Sequence, residues 1–184
     1  SQLVQHPALD AATEGFKEAF ADAGVDVEFT EQNANGEQAT ALTIAQQFAG
    51  QNLDLILANA TPAAQAMAQN VTDTPILFTS VTDPVEAELV NDWDAPGANI
   101  TGTSDKTPLK DQFDLIEQLS PETKTIGIVY ASGEVNSQIQ VKDAEKEAKE
   151  RGWTVETQTV TSVGEIPQAA ETLKEVDAFY VPTE

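Results

Sequence analysis

Four strings in this 184-residue chain place polar groups where an apolar run gives way to a helical one. Asn59-Ala60-Thr61-Pro62, Thr82-Asp83-Pro84-Val85 and Ser104-Asp105-Lys106-Thr107-Pro108 each set a hydroxyl, amide or carboxylate just ahead of a proline. Proline at the first helical position gives up an N–H that has no intrahelical partner, and a preceding side-chain oxygen caps one of the remaining amides. The other first-turn amides, at the positive end of the helix, can then hold an anion such as a carboxylate. The fourth string, Tyr130-Ala131-Ser132-Gly133-Glu134-Val135-Asn136-Ser137, lies at the same kind of junction and offers hydroxyl, amide and carboxylate groups together. Any one Thr-Pro or Asp-Pro pair is an ordinary cap, so it is the array that points to reversible binding of a small polar molecule.

Catalysis finds little to work with. There is one histidine, no cysteine, no Gly-x-Ser-x-Gly elbow and no phosphate-binding glycine loop. With 31 Asp and Glu, neighbouring carboxylates are expected by chance. Asn91-Asp92-Trp93-Asp94 lacks the spaced ligands of a calcium loop, and His6 has no second histidine or cysteine to share a metal. The expectation is a protein that is not an enzyme and uses no cofactor and no metal.

The elements that must position these strings alternate. Val25–Phe29, Leu53–Ala58, Pro75–Thr79, Ile126–Tyr130, Thr154–Val160 and Ala178–Val181 read as strands, most of them apolar on both faces. Between them run helical patterns at Ala8–Ala23, Gln38–Ala49, Pro62–Gln69, Pro84–Val90, Pro108–Leu119, Val135–Glu150 and Gly164–Glu175. Strands buried on both faces and joined by helices predict parallel sheets, hence the α/β class. The two halves share a rhythm: a helix ends at Gly24 or Gly152, a strand follows, and a second glycine comes at Gly36 or Gly164. Two similar lobes are therefore expected, an N-terminal one over 1–106, a crossover helix and linker over 107–123, and a C-terminal one over 124–184.

Composition narrows the partners. A formal charge of -22 repels phosphate backbones and anionic lipid, so no nucleic acid is expected. Arg151 is the only arginine, which leaves few bidentate anion clamps. The acidity fits either a solvated surface or adaptation to concentrated salt, and composition does not separate the two. No run approaches the roughly 20 apolar residues of a membrane span, and the opening Ser1-Gln2-Leu3-Val4 carries no basic and apolar leader.

Five motifs carry a resemblance: Gln5-His6-Pro7-Ala8-Leu9-Asp10, Asn59-Ala60-Thr61-Pro62-Ala63-Ala64-Gln65, Ser80-Val81-Thr82-Asp83-Pro84, Pro96-Gly97-Ala98-Asn99-Ile100-Thr101-Gly102-Thr103-Ser104-Asp105 and Gly133-Glu134-Val135-Asn136-Ser137. In this order the chain resembles the ABC-transporter substrate-binding family associated with tryptophan and tyrosine uptake. The resemblance implies a type I periplasmic-binding-protein-like fold of two Rossmann-like lobes. It also implies a small-molecule ligand (tryptophan, tyrosine or phenylalanine) enclosed between the lobes, delivery to an ABC permease, and an extracytoplasmic location, periplasmic or as a membrane-anchored lipoprotein.

By the same resemblance His6, Asn59, Thr61, Thr82, Asp83, Ser104, Asp105, Glu134, Asn136 and Ser137 are the expected ligand-binding positions. Ser137 would receive a carboxylate, and Asp83, Asp105 or Glu134 an ammonium group. Phe78, Tyr130 or Tyr180 would supply an aromatic wall, with core packing the competing role for each. Family members continue beyond the point where Pro182-Thr183-Glu184 ends, and only Leu3 and Val4 represent a first strand. The expectation is a fragment whose second lobe is incomplete. A ligand-sensing domain of a receptor or regulator, with the same fold, stays open as an alternative.

Overall fold

Alternating apolar and helical stretches fold into two α/β units, Ser1–Asp105 and a second that begins at Lys106. The computed structural model describes residues 1–183. Unit 1 runs α1 (Pro7–Asp22), α2 (Gln38–Ala49), β1 (Ile56–Asn59), α3 (Thr61–Asn70), β2 (Ile76–Val81) and β3 (Ile100–Ser104). Unit 2 runs α4 (Leu109–Leu119), β4 (Thr125–Ala131), α5 (Val135–Glu150), β5 (Thr154–Val160), a 3-10 turn at Val163–Glu165, α6 (Ile166–Thr172) and β6 (Ala178–Phe179).

Each unit holds a three-stranded, all-parallel sheet, in the order β1-β2-β3 and β5-β4-β6. The expected α/β class with helix-flanked parallel sheets is the architecture found. Parallel strands need helices on their faces, which is why β1 and β2 are so largely buried and why the sequence around them is nearly all apolar. The second unit's core gathers Phe113, Ile126, Ile128, Val141, Trp153 and Tyr180. Phe113 of α4 lies at its centre, stacked on Trp153 at 5.9 Å, so residues 107–123, expected as crossover and linker, contribute a helix to that core.

Both 16-residue helices end in the same device. Gly24 and Gly152 adopt φ of +65° and +71°, and the amides of Val25 and Trp153 reach back to the carbonyls of Phe20 and Ala148. Only glycine enters that left-handed cap without a steric penalty, so the helix stops there. The sole arginine, Arg151, sits at the second of these ends. Its guanidinium bonds Glu147 and Glu117 at 2.8 and 2.9 Å, pairs with Asp114, and lies 5.6 Å from the Trp153 ring centre. Its charge ties α4 to α5 and complements the helix terminus.

Three expectations change. Val25–Phe29 forms no strand, although its composition suits one. Pro84–Val90 is a set of turns and not a helix, because Glu88 takes φ of +59° and ends the right-handed run after one turn. Ile100–Ser104, not singled out as a strand, pairs with β2. Its Gly102 is required there, since a Cβ would collide with the carbonyl oxygen of Phe78, where β2 bulges.

Candidate ligand-binding site

Most of the expected positions in unit 1 lie where the parallel strands end. Asn59, the last residue of β1, is fully buried, and its Nδ2 donates to Leu9 O at 2.7 Å and Thr13 Oγ1 at 3.0 Å. Its Oδ1 is buried without a partner. Thr61 opens α3 and is buried, but no side chain caps that helix. The N-cap is Ala60, at φ +85° and ψ 152°. That region is nearly glycine-only, and holding alanine in it costs on the order of 1–3 kcal/mol. Ser80 is also left-handed, at φ +55°, beside the β2 register shift. Two of the four non-glycine residues at positive φ among the described residues thus lie at the ends of β1 and β2, the place where open α/β sheets bind ligands.

Thr82, Asp83, Ser104 and Asp105 come together at the ends of β2 and β3. Asp83 Oδ1 accepts from the amides of Val85 and Glu86, both at 3.1 Å, so it caps a turn and not a continuing helix. Ser104 Oγ donates to Thr82 O at 2.7 Å, and Asp105 N donates to Val81 O at 3.1 Å. The surrounding chain partly desolvates the Asp105 carboxyl and pushes it above the usual carboxylate range, although its surface stays open to water. His6 stands at the start of α1, exposed, and its Nδ1 accepts from Ala8 N at 3.2 Å, which makes it the helix cap.

In unit 2 the α5 N-terminus carries the other three positions. Glu134 is the N-cap residue, with no side-chain capping bond to the first turn. Its carboxylate instead accepts from Asn136 Nδ2 at 3.2 Å, and the same amide group donates to Thr183 O at 3.3 Å. Asn136 Oδ1 and Ser137 Oγ are both buried and both unpartnered. An unmade hydrogen bond on a buried polar atom costs about 1–3 kcal/mol, so two of them side by side at a positive helix end call for an explanation.

Of the aromatic candidates, Phe78 is buried in the unit 1 core, and Tyr180 packs on Phe113 at 5.9 Å in unit 2, while Tyr130 is only partly buried. Gln140 was not expected. One turn beyond Asn136, it is buried, its Oε1 accepts from Thr183 N at 2.9 Å and its Nε2 donates to Thr183 O at 3.2 Å. The signal that could have found it is the Asn136–Gln140 spacing on a helix face otherwise buried as Ile139, Val141 and Ala144.

Residues 1–184 match a family described as ABC transporter substrate binding protein. A curated relative, the tyrosine-binding protein of Clostridioides difficile strain R20291, is 40% identical over 189 residues, which cover 100% of this chain and 55% of that protein. The solved ABC domain in complex with L-Trp from Streptococcus pneumonia is 39% identical, with a TM-score of 0.94 over 100% of this chain and 64% of that one. A conserved domain protein from Vibrio cholerae O1 biovar eltor is 36% identical, with a TM-score of 0.94 over 97% of this chain and 62% of its own. The chain spans less than two thirds of the length of each of these relatives.

Proposed function

The chain belongs to the ABC transporter substrate-binding protein family, and from that membership we propose that it serves as the solute-capturing component of an importer. The proposed ligand is an aromatic amino acid, held between the two units outside the cytoplasm and passed to a membrane permease. Its task is binding and not catalysis, in keeping with relatives described by what they bind.

The observation that carries this reading is the pair of unpartnered buried atoms at the start of α5. Ser137 Oγ–H can donate to a ligand carboxylate alongside the uncapped first-turn amides, which face anions with the helix's positive end. Asn136 Oδ1 can accept from an ammonium group, and the Glu134 carboxylate bonded to the same side chain adds negative charge beside it. A zwitterionic amino acid carries both groups. In unit 1 the acidic Asp83 and Asp105 at the strand ends favour the ammonium side of the same ligand. Tyr130, partly buried on β4 at the edge of the unit 2 core, is the most open of the three aromatic candidates.

Isothermal titration of a chain as long as the relatives with tryptophan, tyrosine and phenylalanine tests this. One-to-one saturable binding is expected for at least one of them. Ser137→Ala removes a charge-assisted hydrogen bond worth about 1.5–3 kcal/mol, so its affinity should fall roughly 10- to 150-fold. No heat with any of the three, or an unchanged affinity in the variant, would overturn the assignment.

A further inference from the structure

Four hydrogen bonds leave the Gln140 side chain a single orientation. Its Oε1 accepts from Thr183 N at 2.9 Å and from the Tyr180 hydroxyl at 3.3 Å. Its Nε2 donates to Thr183 O at 3.2 Å and to Asn136 O at 3.3 Å. Turning the amide over would set Oε1 against two carbonyl oxygens and Nε2 against the Thr183 N–H, so both ends oppose a flip. The residue is buried, and water is not at hand to replace these bonds. Because the side chain engages both the N–H and the C=O of Thr183, it fixes the direction of that stretch of backbone as a neighbouring strand would.

That backbone direction reaches Asn136, one turn earlier on α5. Asn136 Nδ2 donates to the same Thr183 carbonyl at 3.3 Å and to Glu134 Oε2 at 3.2 Å. Both partners are acceptors, so the nitrogen turns toward them. Oδ1 turns away, buried, with no partner among the described residues. The Thr183 carbonyl is the shared point, and its two lone pairs serve the two donors. Gln140 also occupies the Thr183 N–H, a donor on the very residue whose carbonyl Asn136 uses. Without Gln140 both groups of Thr183 lose the side chain that aims them. A buried oxygen gains from any donor it can reach, so the freed N–H would compete for Asn136 Oδ1.

We propose, given the amino-acid ligand proposed above, that Gln140 is a positioning residue of the binding site: by fixing Thr183 it holds the Asn136 amide with its oxygen free to accept from the ligand's ammonium group. Gln140 acts through Thr183 and Asn136 and not by contact with the ligand. An amide already held in the accepting orientation loses no freedom when the ammonium arrives. Turned over, the same amide would present N–H donors to a cation, and paired with the Thr183 N–H it would have no acceptor to offer. Only the held orientation is competent, so affinity follows the fraction of molecules that keep it.

The test uses a chain as long as the relatives, carrying Gln140→Met, which keeps the side chain's length and removes all four bonds, Asn136→Ala, or both. In the ligand-free protein, NMR reads the side-chain amide of Asn136. Gln140→Met should shift its resonances and speed its proton exchange at least about tenfold. Calorimetry with tryptophan, tyrosine and phenylalanine then reads affinity. Each single variant should weaken binding at least about fivefold, and the double variant should match Asn136→Ala within about twofold, because Gln140 acts through Asn136. An unchanged Asn136 amide in Gln140→Met overturns the proposal whatever the protein binds. Losses that multiply in the double variant overturn it too, since they belong to two independent contributions. Heat from none of the three amino acids with the wild-type chain overturns the proposed function, and the role of Gln140 with it. If Gln140→Met does not fold, the wild-type Asn136 amide decides: exchange at least about tenfold slower than at the exposed Asn91 supports the proposal, and equal exchange overturns it.

Discussion

Replacing Ser137 by alanine in the ligand-free chain should make it more stable. The hydroxyl is fully buried at the third residue of α5 and meets no partner, which costs about 1–3 kcal/mol relative to water. Alanine has the higher helix propensity by up to about 0.5 kcal/mol. Against these gains stand the lost packing of one oxygen atom and the small void it leaves, about 0.5–1 kcal/mol. The net is about 1–2 kcal/mol of stabilisation. For a domain of roughly the second unit's size, that shifts Tm upward by roughly 4–16 °C. Differential scanning calorimetry without ligand reads it, with Ser132→Ala, an exposed hydroxyl on the preceding loop, as the control expected to be neutral. The pairing of outcomes matters: the same substitution that stabilises the empty chain should weaken ligand binding, since one cause, a donor kept without a partner, underlies both. A lowered Tm for Ser137→Ala would refute the reasoning, because it would mean that the hydroxyl already makes a favourable bond within the protein.

Other outcomes follow from features of the two units. Gly102→Ala should destabilise unit 1 by about 3 kcal/mol in urea unfolding, because the new Cβ collides with the backbone carbonyl of Phe78, which cannot swing aside as a flexible side chain could, and with that residue's ring. Asp177 accepts from the Lys124 amide at 2.9 Å and from the Thr125 amide and hydroxyl, both at 2.8 Å, which holds its carboxyl below the usual range. Its contribution is present above the unfolded carboxylate pKa and lost as pH falls toward the folded one; Asp177→Asn should lower the neutral-pH Tm and flatten the acid limb of a pH–Tm curve. Glu88→Gly should stabilise by about 0.5–1 kcal/mol in chemical unfolding, because glycine tolerates φ of +59° without strain.

Sequence pattern located the elements whose causes are local. Helices α2 and α5 and strand β5 run over the residues that periodicity and caps assign them, and the Gly24 and Gly152 stops are visible because the left-handed cap selects glycine. Strand β3 was hidden because its residues after Ile100 are exposed and polar or glycine, so it shows neither alternation nor an apolar run. Val25–Phe29 fails in the opposite direction: its β propensity is real, but a strand exists only through its ladder partners. Pro84–Val90 has a proline and a capping aspartate at its start, yet one left-handed residue decides against a helix. At the candidate site, the strand-to-helix strings were legible as positions. What the chain does with them was not, since Asn59 is held by Leu9 and Thr13, and Gln140 by Thr183, across separations that no local pattern encodes. Burial of an atom without a partner, as at Ser137 Oγ and Asn136 Oδ1, is a property of the packed state alone.

The division after Asp105 has a practical corollary in proteolysis. The first unit contains a single cationic residue, Lys17, against sixteen aspartates and glutamates, and the next basic residue is Lys106, where the second unit begins. Trypsin, which cuts after lysine and arginine, therefore has no site from Glu18 until the junction itself. Lys106 is held to Asp143 at 3.3 Å, with its side chain 42% exposed. A digest should accordingly carry Glu18–Lys106 as one long, strongly acidic peptide and break the second unit into many short ones. The rate at which that long peptide appears gives a label-free gel readout of cleavage at Lys17 and Lys106.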